Sequence, residues 1–208
     1  MKLVDHTIKE FAKVLASDAP APGGGSTAAL EGALGIALTH MVAGLTVGKP
    51  KYQEHEALMK ELMEKSDKIL CDFIDVIDRD TEAFNVVSAV FSMPKSTDEE
   101  KAARKNAMQE GLKGCTLTPF EMMSYSLTGL ELTYQALGKF NESAASDLGV
   151  AALSLKAAVQ GAWLNVKINI GGIKDEAFVN EYRTKGEEIL KRSIELADEI
   201  YARVLEML

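Results

Sequence analysis

Apolar residues fill one stretch near the start of the chain so completely that no polar face remains. Between Thr27 and Val47, Glu31 is the one charged residue, and alanine, glycine, leucine and valine occupy most other positions. A helix that is apolar on every face must be surrounded. Roughly 20 apolar residues could also span a bilayer, but Glu31, His40 and the interspersed threonines and glycines favour a buried helix at the centre of a bundle. We therefore expect no membrane span.

A glycine-rich turn comes directly before this helix. Gly23, Gly24 and Gly25 can adopt backbone angles closed to other residues and let a ligand or another chain approach closely. Ser26 or Thr27 can then cap the first free N–H groups of the helix. Backbone amides at such a turn can bind an anion, but the strand and the Gly-Lys-Ser or Gly-Lys-Thr of a nucleotide-binding loop are absent. A purely structural turn fits the same residues.

Helical periodicity continues through the rest of the chain, and proline or glycine separates the segments. At Pro119 we expect a kink or a break, with a separate segment reaching Leu137. No stretch alternates with a period of two for long enough to indicate a strand. The sequence thus predicts an all-α fold, one domain over residues 1–208, built as an elongated bundle of about six helices around the buried central one. The further predicted helices are Asp5 to Ala16, Lys51 to Ser92, Ser96 onward, Asn141 to Ile170, and Asp175 to Leu208.

Composition and charge narrow the class of partner. The first ten residues break into charge before an apolar run develops, so no signal peptide is predicted. Cys71 and Cys115 lack metal-ligand spacing, which favours free thiols in a reducing cytoplasm. A net charge of −8 argues against nucleic acid or an anionic membrane as the main partner. We expect a cytoplasmic protein that acts on a small molecule or on another protein.

Two aspartates in the long third helix are candidate acid or base groups. Asp78 and Asp80 flank its apolar stripe at roughly 100° and 60° from the centre, so both could lie at the edge of a packed surface. A carboxylate in such a place has a raised or partner-dependent pKa and can act as general acid or base. A solvated face that includes Arg79 is the alternative.

Three further polar residues lie in the alanine-rich fifth helix. Asn165 and Asn169 are four residues apart and share a face, and Asp147 lies near the start of the same helix. Amides and a carboxylate suit the recognition of a heterocycle with several donors and acceptors. Hydrogen-bonded core groups would show the same pattern. Neither a Ser/His/Asp triad nor a metal cluster can be assembled from the sequence, so we expect no metal.

Motifs that run through nearly the whole chain resemble the cyclodeaminase/cyclohydrolase family. That family comprises the C-terminal half of formiminotransferase-cyclodeaminase and the stand-alone bacterial methenyltetrahydrofolate cyclohydrolases. The motifs occur in order and at matching intervals. They are Ala21 to Ser26, Met41 to Thr46 with Gly48-Lys49, Asp78 to Phe84, Met93-Pro94-Lys95, Ser146-Asp147-Leu148, and Asn165 to Asn169.

The resemblance implies an all-helical homodimer that binds a tetrahydrofolate one-carbon adduct as substrate and needs no separate cofactor. Asp78 or Asp80 would be the acid or base. Lys49 would hold a folate carboxylate or orient water, and Asp147 and Asn165 would bind the pterin edge. The full set implied to bind substrate is Gly23, Gly24, Gly25, Ser26, Asp147, Asn165 and Asn169.

The resemblance leaves two activities as alternatives, and both act on the same one-carbon group. A cyclohydrolase adds water to 5,10-methenyltetrahydrofolate and forms 10-formyltetrahydrofolate, whereas a cyclodeaminase closes 5-formimidoyltetrahydrofolate with loss of ammonia. We favour the cyclohydrolase because the sequence carries no formiminotransferase half. The alternative from another class is a non-catalytic helical dimer scaffold, which would need neither Lys49 nor the aspartates.

Overall fold

The computed structural model describes residues 2–208, and within that range it contains six α-helices and no β-strand. Short 3-10 turns at Leu3–Asp5, Pro50–His55 and Glu142–Ala144 lie between or before them. The predicted all-α bundle of about six helices is confirmed. The helices are α1 (Ile8–Leu15), α2 (Gly24–Gly44), α3 (Glu56–Val90), α4 (Asp98–Ala136), α5 (Ala145–Ile170) and α6 (Glu176–Leu205).

Helices α3 and α4 make the bundle elongated. They contain 35 and 39 residues, which corresponds to about 50 to 60 Å at 1.5 Å per residue. A capping box begins α4: Thr97 Oγ1 accepts the N–H of Glu100, and the Glu100 carboxylate accepts the N–H of Thr97. The predicted start of α3 was several residues early, because the chain from Pro50 to His55 forms 3-10 turns.

Helix α2 lies at the centre of the bundle and contacts α3, α4 and α5. Its glycines allow this close approach. A Cβ atom at Gly32 would overlap the ring of Phe73 on α3, and one at Gly35 would lie 2.8 Å from Leu155 Cγ on α5. Length and composition would also allow this helix to cross a membrane, but half of its most apolar window is buried inside the bundle.

One side of α2 is uncovered. Leu34, Met41 and Leu45 expose 56%, 39% and 45% of their surface, and their spacing places them along one line on the helix. We call these three residues the α2 stripe. The expectation that α2 is surrounded on every side is therefore wrong for the chain by itself, because α3, α4 and α5 do not reach this line.

Helix α4 continues through Pro119, so the predicted separate segment after this proline is wrong. Proline lacks an N–H and cannot bond to the carbonyl of Cys115 one turn earlier. Asn169 on α5 donates its Nδ2 to that carbonyl at 2.7 Å instead. The local rule cannot anticipate a donor from another helix, and the packing of α4 against α3 and α5 further stabilises the uninterrupted helix.

Candidate active site

A cleft of about 360 Å³ opens where the N-terminal end of α2 meets α3, α4 and α5. It brings together six of the predicted site residues, and Ser26 follows directly behind the glycine turn. Sequence reasoning missed several others, although the regular helical spacing of Thr81 and Phe84 after Asp80 could have indicated a shared wall. The predicted residues in the cleft are Gly23, Gly24, Gly25, Asp80, Asn165 and Asn169; those missed include Thr81, Phe84, Leu112, Cys115 and Ile168.

The glycine turn begins α2 without a side-chain cap. Gly23 is the N-cap residue and α2 starts at Gly24. The predicted capping by Ser26 or Thr27 is wrong, because both hydroxyl groups donate hydrogen bonds to carbonyl groups. Ser26 Oγ donates to the carbonyl of Ile77 on α3 at 2.9 Å, and Thr27 Oγ1 donates to the carbonyl of Gly23 at 2.9 Å. The first N–H groups of α2 are thus directed to the end where the cleft lies.

Asp80 is the half-buried carboxylate of this cleft. Burial raises the pKa of its carboxyl group from the ordinary 3.8 to about 6, and hydrogen bonding from the backbone N–H of Ser26 offsets part of that rise. The positive end of the α2 dipole favours the ionised form in the same way. Asp80 can therefore both accept and return a proton near neutral pH.

Gly25 creates the space that the Asp80 carboxylate occupies. A Cβ atom at Gly25 would overlap both carboxylate oxygens. The α2 backbone and the acid can approach each other this closely because residue 25 has no side chain. Glycine at position 25 therefore allows the Asp80 carboxylate to lie against the start of α2.

The described residues offer no evident metal centre. Within residues 2–208, no group of three or more His, Cys, Asp or Glu side chains is arranged to hold a metal ion. Burial and the charge of Asp80 raise the pKa of the Cys115 thiol to about 11. A neutral thiol is a poor metal ligand and a poor nucleophile. Cys115 contributes a weakly polar wall to the cleft.

Asn165 and Asn169 both use their amide nitrogens inside the protein. Asn165 Nδ2 donates to the carbonyl of Gly161 at 2.9 Å, and Asn169 Nδ2 donates to the carbonyl of Cys115 at 2.7 Å. Within residues 2–208, neither Oδ1 atom accepts a side-chain or backbone hydrogen bond. Both residues line the cleft, so these free oxygens and the Asp80 carboxylate are its candidate acceptors for the donors of a ligand.

Asp78 lies two residues before Asp80 on α3, but its carboxylate has other partners. Its carboxylate accepts the backbone N–H of Leu3 at 2.6 Å and that of Val4 at 3.5 Å. It therefore attaches the N-terminal turn to α3. Of the two aspartates singled out in the sequence, Asp80 lines the cleft.

Lys49 and Asp147 lie at the opposite end of α2. Lys49 follows a helix of 21 residues, which separates it from the cleft by about 30 Å, and Asp147 comes about five turns before Asn165 on α5. The segment before Lys49 contacts the segment that leads into α5, because the backbone N–H of Asn141 donates to Thr46 Oγ1 at 2.9 Å. Within the chain, Lys49 and Asp147 share an end of the bundle with each other and not with Asp80.

Comparison with known proteins identifies relatives over almost the whole chain. The model of the formiminotransferase-cyclodeaminase family matches residues 7–188. A methenyltetrahydrofolate cyclohydrolase from Methylorubrum extorquens is 42% identical over 200 residues, which is 96% of each chain. The formimidoyltransferase-cyclodeaminase of Gallus gallus is 33% identical over 99% of this chain, but the match spans 37% of that longer protein.

A solved structure shares the fold. The crystal structure of a formiminotetrahydrofolate cyclodeaminase from Thermotoga maritima superposes with a TM-score of 0.81 and 29% identity, over 98% of this chain and 96% of that one. Sequence and fold thus agree over the same helices that build the cleft. The chain belongs to the formiminotransferase-cyclodeaminase family.

Proposed function

We propose that this enzyme is a methenyltetrahydrofolate cyclohydrolase, which converts 5,10-methenyltetrahydrofolate and water into 10-formyltetrahydrofolate and a proton. The observation that carries the proposal is Asp80, a carboxyl group with a pKa of about 6 that lines the cleft of about 360 Å³. The similarity to a cyclohydrolase over 96% of both chains supports it.

Asp80 suits the proton transfers of this hydrolysis. The methenyl carbon lies between two nitrogens and is part of a delocalised cation, so an ionised carboxylate beside it stabilises the charge. Asp80 removes a proton from the attacking water as the new C–O bond forms. The bond from that carbon to N5 then breaks, N5 takes the proton from Asp80, and the hydroxyl proton leaves as the formyl C=O forms. One proton is released overall, which balances the charge of the substrate.

The acceptors of the cleft match the donors of a reduced pterin. Its amino group and ring N–H groups can donate to Asn165 Oδ1 and Asn169 Oδ1. Phe84 and Ile168 supply apolar surface for the flat part of the ring. The open backbone at Gly23 and Gly24 leaves room beside the helix terminus, since a side chain is absent there.

Cyclodeamination is the second candidate function. The Thermotoga maritima structure and the formimidoyltransferase-cyclodeaminases favour it. In that reaction Asp80 would protonate the departing amine as ammonia leaves. A pKa of about 6 populates both the acid and the base near neutral pH, so the same group suits either reaction.

Two absorbance assays separate these functions. We expect the protein to accelerate the loss of the 5,10-methenyltetrahydrofolate chromophore near neutral pH without forming it from 5-formimidoyltetrahydrofolate. Formation of the chromophore with release of ammonia would establish the cyclodeaminase instead. Failure of both assays, in a preparation whose thermal denaturation is cooperative, would overturn the enzyme proposal in favour of the scaffold.

We also propose that the protein is a homodimer in which a second copy covers the α2 stripe. Leu34, Met41 and Leu45 leave apolar surface uncovered along the central helix, and self-association would bury it. A two-fold axis across the middle of α2 would place the partner's Lys49 and Asp147 end beside the Asp80 end. This arrangement would let Lys49 take part in a site from which it is about 30 Å away in one protomer.

Subunit complementation tests the dimer. We expect Lys49→Met and Asp80→Asn to be nearly inactive alone. After unfolding and refolding of an equal mixture, about half of the dimers would contain one of each subunit and one intact site, which restores about a quarter of wild-type activity. Light scattering measures the mass. A monomeric wild type, or a refolded mixture no more active than its parents, would contradict a shared site.

A further inference from the structure

Asn169 of the cleft donates a hydrogen bond to a carbonyl of α4 that lies one helical turn before Pro119, a residue that does not line the cleft. In a regular helix the N–H of residue 119 would donate to the carbonyl of Cys115. Proline has no N–H, so that carbonyl is without its ordinary helical partner. Asn169 Nδ2, reaching across from α5, lies 2.7 Å from the Cys115 oxygen and takes the vacant place.

This hydrogen bond selects one of the two orientations of the Asn169 amide. A carbonyl oxygen can only accept, so the atom that faces Cys115 must be the amide nitrogen. The Oδ1 atom is consequently held on the other side of the amide, and Asn169 is one of the residues that line the cleft. Pro119 is buried within α4.

The orientation matters because the neighbouring polar groups are acceptors as well. Asn165 commits its amide nitrogen to Gly161, and Asp80 presents a carboxylate. Asn165 and Asp80 would accept hydrogen bonds from N–H donors on one edge of the ligand. An inverted Asn169 would present its own NH₂ group to that same edge. Two donors facing each other leave both unsatisfied, which weakens binding.

We propose that Pro119 is a positioning residue for substrate binding: by withholding an N–H from the Cys115 carbonyl, it fixes Asn169 with Oδ1 toward an N–H donor of the ligand. This inference rests on the proposed folate function and adds a specificity element to it. Pro119 acts through Asn169 and has no contact with the substrate.

Replacement of Pro119 by alanine tests this role. The restored N–H competes with Asn169 for the Cys115 carbonyl and loosens the amide. We expect KM for the folate substrate to rise about threefold to tenfold, as for the loss of one neutral hydrogen bond, with kcat nearly unchanged. Gly114→Ala is the matched control on α4, because its new methyl group meets open space; its KM should equal that of the wild type.

A double-mutant cycle distinguishes positioning from a general structural effect. If Pro119 acts through Asn169, Pro119→Ala should raise KM in the wild type but hardly at all in an Asn169→Ala background. Equal effects in both backgrounds, or an unchanged KM in Pro119→Ala, would overturn the proposal.

Asn169→Asp provides a test that leaves α4 intact. Ionised aspartate keeps an acceptor for the ligand but cannot donate to the Cys115 carbonyl. We expect KM to rise at least as much as in Pro119→Ala, because the side chain is no longer held. Wild-type KM in Asn169→Asp would show that the amide bond to Cys115 is irrelevant to binding, even if Pro119→Ala fails to fold.

An NMR measurement separates this inference from the proposed function. Without any folate, the side-chain amide protons of Asn169 should exchange with solvent about tenfold or more faster in Pro119→Ala than in the wild type. Equal exchange rates would overturn the positioning role whether or not the enzyme acts on folates. Inactivity of the wild type on both folates would overturn the function alone.

Discussion

Asp80→Asn should lower kcat for methenyltetrahydrofolate hydrolysis by about 100-fold to 10,000-fold, because the amide can neither take the proton of water nor return it to N5. Folate binding should persist, since the amide is nearly the same size. In the wild type, kcat/KM should rise with pH through about 6 as the carboxyl group ionises. The variant should lose this dependence. Steady-state rates between pH 5 and 8 measure both effects.

Asp78→Asn is the comparison on the same helix. Its carboxylate is engaged with the N–H groups of Leu3 and Val4, outside the cleft. We expect turnover close to that of the wild type, with some loss of stability at the N-terminal turn. If Asp78→Asn abolished turnover and Asp80→Asn retained it, the proposed base would be wrong.

The Asp80→Asn variant should also be more stable than the wild type at alkaline pH. Asp80 ionises near its ordinary 3.8 in the unfolded chain and near 6 in the folded one, so ionisation costs the fold stability as pH rises between these values. Above about pH 6.5 the difference corresponds to about 1 to 3 kcal/mol, and it declines to zero as the pH falls below the unfolded value of 3.8. Urea unfolding at pH 4 and pH 8 would show the gain and would exclude misfolding as the cause of lost turnover.

Gly25→Ala should reduce kcat/KM about 100-fold, because its methyl group would overlap both oxygens of Asp80 and force the carboxylate out of position. Misplacement by about 1 Å is enough for an effect of this size. The carboxylate is the end of a flexible side chain, so the fold can accommodate the change by moving it. We expect a thermal midpoint near that of the wild type.

Gly44→Ala is the control for Gly25→Ala within the same helix. Its new methyl group would meet Met63 Cε at 3.6 Å, which is an ordinary contact. It should fold and turn over substrate normally. Full activity in Gly25→Ala would show that the close approach of α2 to Asp80 is not needed for catalysis.

Helical periodicity predicted the fold class well because each helix carries its own pattern and its own end signals. The capping box at Thr97 and the apolar run of α2 are local features, and both correspond to observed elements. Predictions from local sequence failed where a contact from another helix changed the outcome. Pro119 predicted an interruption, but Asn169 supplies the missing hydrogen bond from α5.

In the candidate site, too, some features were predicted from the sequence and others depend on packing between helices. Motif and resemblance indicated Asp80, the glycines and the two asparagines, and the structure places them in one cleft. Helix geometry could not choose between Asp78 and Asp80, since both lie at the edge of one apolar stripe. The contacts of Leu3 and Ser26 with these aspartates come from distant parts of the chain.

By itself, the sequence determined the all-helical architecture, the central apolar helix and the residue types available for acid–base chemistry, because these follow from local pattern and composition. The tertiary structure decided which carboxylate lines the cleft beside a helix terminus and which carbonyl groups the asparagine amides bind. It also separated Lys49 and Asp147 from Asp80 by the length of α2. Burial, hydrogen-bond direction and distance across the bundle arise from packing between helices, and packing places residues together that no local spacing relates.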